Sequence, residues 1–171
     1  RTWFEAGEDR WFTKDAGLDG MLRIRFGAAL AEARQGAFDH WAETPEGALA
    51  LVILLDQVSR NINRGSPLAF AADGRALALA KASVAKGFHM RMPPPRAQWF
   101  VMPFEHAEDL DCQYRAVALF TTMGLGDMAH WAWVHLDIIA RFGRFPHRNP
   151  ILGRPSTPAE TAFLKAGGFA G

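Results

Sequence analysis

Histidine, carboxylate and arginine side chains crowd into three stretches of this sequence, and such groups together suit proton transfer next to a charged ligand. The densest stretch is Pro103-Phe104-Glu105-His106-Ala107-Glu108-Asp109. Carboxylates just behind a proline at a helix start complement the helix dipole, which accounts for Glu105 and Glu108 without any function. It does not account for His106. At about 100° per residue, Phe104, Ala107, Leu110, Tyr114 and Val117 form an apolar stripe, with His106, Asp109 and Gln113 along one edge. Asp109, three residues on, is placed to hold the His106 imidazole in one tautomer, as a general base requires. His135 falls inside the stripe of Trp131, Ile138, Ile139 and Phe142, so it is expected to be buried. A lone histidine on an apolar face is usually a satisfied core residue; a second histidine and several carboxylates nearby make this one a candidate.

The second stretch begins at Asp56. Asp56 and Arg60 are four apart, as are Gln57 and Asn61, and Arg64 follows one turn after Arg60, so each pair shares a helix face. The turns before them, Leu49 to Leu55, are apolar all round. Polar groups at the rim of a core must be paired. Asp56, Arg60, Asn61 and Arg64 therefore read either as a network tying helix ends together or as a ligand site. The third stretch, Arg141-Phe142-Gly143-Arg144-Phe145-Pro146-His147-Arg148-Asn149, holds no acidic residue. Its expected internal partner is the acidic run Glu105 to Asp111. If a cleft separates the two, Arg144, His147 and Arg148 hold a small anion through planar guanidinium donors while Glu105, His106, Asp109 and His135 handle protons. Neither Glu-x-x-His nor His-Glu-x-x-His is present, which weighs against a metal site built on His106, Asp109 and His135. No cofactor is identified.

Helices must position these groups. Leu22, Phe26, Ala29, Leu30 and Ala33 recur at three- and four-residue spacing within a helix over 18–35, and Gly36 stops it in the left-handed conformation. Thr44-Pro45 caps a second helix to about Asn63. Ser66-Pro67 gives the same signal for a helix to about Lys86. A short helix over 96–102 follows, then one restarted by Pro103 and continuing to about Met123. Asp127 caps another that ends near Phe142. Thr157-Pro158-Ala159-Glu160 opens a terminal helix, with Glu160 placed for a capping box. Strand-like alternation is almost absent, and connections this short favour antiparallel helical hairpins stacked around one core.

With 171 residues, 49% of them hydrophobic and 22% charged, a single helical domain over 1–171 is expected. The net charge of +1 argues against nucleic acid and against an anionic membrane surface. Arg far outnumbers Lys, which fits either base composition of the gene or recognition of carboxylate and phosphate. The longest apolar run, Ala48 to Leu55, is too short for a membrane span. Cys112 is the one cysteine, so no internal disulfide forms; with no signal peptide visible, a reducing, cytoplasmic setting is expected. The chain opens at Arg1 rather than methionine, so the native N-terminus is expected to lie ahead of it.

Several motifs resemble the bacterial family called domain of unknown function 924. They are Asp56-Gln57-Val58-Ser59-Arg60-Asn61-x-x-Arg64-Gly65, Pro103 to Asp109, Arg141 to Asn149, and Leu152-Gly153-Arg154-Pro155-Ser156-Thr157-Pro158, with Trp11-Phe12-x-Lys14-Asp15 and Arg25-Phe26-Gly27 near the start. The resemblance spans nearly the whole chain and implies an all-helical, tetratricopeptide-like arrangement. The chain departs from the family at Val58-Ser59, where Phe-Pro is usual, and at Ala107, where Ser is usual. The second departure removes a hydroxyl and makes serine-based chemistry there untenable. Since the family name assigns no function, the reading rests on the residues: a small-molecule binding protein or enzyme for an anionic ligand. The alternative is an interaction module presenting a groove to a peptide or partner helix.

Overall fold

The computed structural model describes residues 1–171, which form helices and turns with no β-strand. Two short helices, α1 (Thr2–Glu5) and α2 (Glu8–Trp11), precede the long α3 (Ala16–Arg34). Asp15 caps α3 by accepting from the Leu18 amide at 2.9 Å, and Gly36 leaves it at φ +92°, the conformation that suits glycine. Thr44 caps α4 (Pro45–Ile53) through the Gly47 amide. Five of its nine residues, Ala48, Leu49, Leu51, Val52 and Ile53, are apolar and buried.

The chain then widens into a π-helical turn over Leu54–Val58 before resuming as α5 (Ser59–Ile62). Such a turn fits one extra residue into a helix and often marks a functional site. Ser66 and Pro67 open only a 3-10 turn, Pro67–Ala69, and the helix expected there starts at Asp73 as α6 (Asp73–Ala85). Tertiary bonds account for the break: the Leu68 carbonyl accepts from Arg34 at 2.7 Å and the Ala69 carbonyl from the Ser59 hydroxyl at 3.1 Å.

A second interruption matters more. The helix expected from Pro103 to Met123 is two helices, α8 (Met102–Glu105), reached through α7 (Pro94–Ala97), and α9 (Leu110–Thr122). Asp109 caps α9, accepting from the Cys112 amide at 2.8 Å. Gln113 stabilises the break, its amide nitrogen donating to the carbonyls of Glu105 and Ala107, each at 2.7 Å. Restarting at Leu110 shifts the helical phase. Leu110 and Tyr114, expected in the core stripe, are exposed, whereas Gln113 is fully enclosed.

α9 packs along α10 (Gly126–Phe142), joined by the three residues Met123 to Leu125. Thr157 and Glu160 form the expected capping box on α11 (Pro158–Lys165). The main core gathers α3, α4, α6 and α9 around Trp99, Phe100 and Phe120. Trp3 and Trp11 meet Trp99 edge to face at 5.2 and 4.9 Å, fixing α1 and α2 on that core. The single core expected from the sequence is accompanied by a smaller cluster, Ile138, Ile139 and Phe145, at the far end of α10. No helix is long and apolar enough to cross a membrane.

Candidate functional site

The π-helical turn places Asp56 where almost no carboxylate is found: only 1% of it is exposed. Burial alone would force the proton back on. Three side chains prevent that. Arg60 Nη1 lies 3.0 Å from Oδ1, the Gln57 amide donates to Oδ2 at 2.6 Å, and His106 Nδ1 sits 2.9 and 3.0 Å from the two oxygens. Against burial, these partners bring the Asp56 carboxyl down to about 2, so it stays ionised. Arg60 is fixed in turn by Asp73 at the start of α6, which takes both of its terminal nitrogens at 2.8 and 2.9 Å. Such a buried pair holds only while every member is present.

An ionised Asp56 accepts a hydrogen bond from Nδ1–H of His106, so the imidazole carries its hydrogen there and Nε2 keeps a bare lone pair. Nε2 has no protein hydrogen-bond partner, and His106 lines a cavity of about 860 Å³. Burial, with Arg60 next, lowers the His106 pKa in spite of Asp56, favouring the neutral base. Glu105 and His135 line the same cavity. Glu105 is 1% exposed, and burial followed by the Asp56 charge pushes its carboxyl up to about 8. Its Oε2 is buried with no hydrogen-bond partner. His135 donates from Nδ1 to the Trp131 carbonyl at 2.8 Å, with Glu105 Oε1 3.2 Å away. Burial foremost brings His135 down to about 4, so it too is neutral at pH 7.

The other sequence candidates go elsewhere. Asp109 serves the α9 cap rather than His106, whose carboxylate partner is Asp56. Asn61 and Arg64 both bind Asp19 of α3, at 2.8 Å each. Arg144 makes a two-pronged pair with Glu160 at 2.6 and 2.9 Å. Within the acidic run, Glu108 turns to Arg154 at 2.6 and 2.8 Å and to the Phe145 amide. Arg148 is buried between the rings of Phe70 and Phe145 at 4.8 and 4.4 Å, with Asp73 at 3.8 Å and Nε unpaired. His147 rests between Phe145 and Phe169, behind the cavity wall.

No Lys or Arg lines the cavity, and neither does any Ser, Thr, Cys or Tyr. No group of three or more His, Cys, Asp or Glu side chains is arranged to hold a metal ion. Sequence reasoning did not single out Asp73, whose carboxylate at a helix start is unremarkable, nor the orienting role of Gln57. It also passed over the cavity walls, which come from Trp11, Phe12, Trp131 and Phe169. Trp131, expected in the core, is 47% exposed and lines the cavity beside Phe169.

The chain is 41% identical to a solved structure described as a protein of unknown function, ATU0120, from Agrobacterium tumefaciens. The TM-score is 0.92, over 96% of this chain and 93% of that one. Among curated proteins nothing matches. Residues 1–168 match the family described as bacterial protein of unknown function DUF924, and the chain belongs to that family.

Proposed function

We propose that this protein is a small-molecule enzyme in which His106 acts as general base on a ligand held in the cavity. One observation carries the reading: a fully buried, ionised Asp56 is spent on fixing the tautomer of an imidazole whose other nitrogen is free toward a cavity. Enclosing a carboxylate costs several kcal/mol unless it is paired; an arrangement that then leaves a bare lone pair beside a ligand-sized cavity is suited to accepting a proton. Arg60, held by Asp73, keeps Asp56 ionised through the transfer. The cavity has the volume of a ligand site, within the usual range of about 300–1,000 Å³. Its walls offer no hydroxyl, thiol or amine nucleophile, so the proton comes from water or from the ligand itself.

The test is consumption of compounds from a defined metabolite mixture, followed by mass spectrometry. A compound turned over by the wild type should be consumed about 10²–10⁴-fold more slowly by His106→Asn, and Asp56→Asn should also be impaired, through loss of the tautomer. Turnover unchanged in His106→Asn refutes the assignment.

A further inference from the structure

We propose that the cavity takes a primary ammonium carried on an apolar body, drawn in by the rim carboxylates Glu8, Asp9 and Asp127 toward the buried carboxyl of Glu105 in its wall. The inference rests on the acid–base reading of the same cavity and adds the class of ligand.

Charge sets the sign. The buried layer behind His106 balances within itself, with Asp56 and Asp73 against Arg60 and Arg148. What remains facing the opening is three carboxylates, none of them in a salt bridge, and no Lys or Arg. Arg10, the nearest cation in sequence to Glu8 and Asp9, is engaged by Asp15 at 2.7 Å. Glu8 and Asp9 lie in the first turn of α2, and Asp127 in the first turn of α10. Each helix end contributes about +0.5 of a charge, which three full negative charges exceed. The arginines expected to hold an anion are paired within the protein or stacked away from the opening.

Two further features specify the ligand. Glu105 is 1% exposed and lines the cavity, and its Oε2 has no partner. Once the carboxyl has given up its proton, such a buried oxygen calls for a donor, and a primary ammonium supplies three hydrogens where a quaternary one supplies none. The aromatic walls, Trp131 and Phe169 on one side with Trp11 and Phe12 also present, suit an apolar body and attract a cation to their faces.

Calorimetric titration of the full chain at pH 7 with benzylamine, benzyl alcohol and benzoate decides the matter. These probes share a shape and differ in charge. Benzylamine should bind at least about tenfold more tightly than either of the others. Its heat should depend on the buffer used, because an ammonium at Glu105 displaces that carboxyl's proton. Asp127→Asn, at an exposed position that leaves the core intact, should weaken benzylamine several-fold and leave benzyl alcohol unchanged. Equal affinities, tighter binding of benzoate, or no binding of any probe overturns the proposal. His106→Asn should still bind benzylamine. If it does while turnover in the metabolite mixture is insensitive to that substitution, the general-base reading falls and the ligand class stands.

Discussion

Replacing Glu105 by glutamine should leave the protein increasingly more stable than the wild type as the pH rises, by an amount the site itself sets. In the folded protein the Glu105 carboxyl titrates at about 8, against 4.5 when free, because burial and then the Asp56 charge penalise its ionised form. A carboxyl with a raised folded value stabilises fully below the unfolded value and loses that contribution as the pH climbs through the folded one. The window is therefore pH 4.5 to 8. With about 1.4 kcal/mol for each unit, the wild type forfeits roughly 3 kcal/mol between pH 4.5 and 7 and roughly 5 kcal/mol once the window is crossed. Glutamine mimics the neutral acid and cannot ionise, so Glu105→Gln escapes the loss. Urea denaturation at half-unit steps from pH 4.5 to 9 measures it. The gap between variant and wild type should widen with pH, and for a urea slope of about 1–3 kcal/mol/M the midpoint gap should reach about 2–5 M at the alkaline end. His135 and His147, brought down to about 4 mainly by burial, are present in both proteins and cancel in the comparison. Parallel pH profiles would refute the claim that a proton is held on Glu105 at neutral pH.

The other predictions concern pairing and capping. Arg60→Ala leaves Asp56 and Asp73 facing each other without their shared cation and should cost about 3–5 kcal/mol in denaturant, whereas Arg64→Ala, which breaks a more exposed pair with Asp19, should cost under about 1 kcal/mol; similar losses for the two would contradict the burial argument. Thr157→Ala removes one arm of the α11 capping box and should lower stability by about 1 kcal/mol, read as a lower melting temperature.

The helical fold was legible because its signals are local. Thr44-Pro45, Gly36 and Thr157-Pro158-x-Glu160 each act within a few residues, and each delimits a helix where the sequence places one. Reading failed where a distant partner outbid the helix. Arg34 and Ser59 draw carbonyls out of the turn after Pro67, and Gln113 does so after Glu105. No local rule contains those contacts. The site divides the same way. Burial of His135 followed from its neighbours on α10, but the pairing of His106 with Asp56 spans 50 residues and depends on the π-helical turn. Asp109, at helical spacing from His106, looked the better partner because the spacing presumed an unbroken helix. Asp56 did carry a signal: a carboxylate directly after eight apolar residues must be paired somewhere.

The widened turn over Leu54–Val58 has a consequence for how this protein can change. Its surplus residue alters winding, not composition, so everything after it points about 100° away from where an unbroken helix would aim it. Asp56 sits within the turn, facing His106, and Arg60 and Asn61, which follow it, owe their directions toward Asp73 and Asp19 to that offset. Exchange of side chains can weaken these contacts one by one; shortening the segment by a single residue would swing them all off target together.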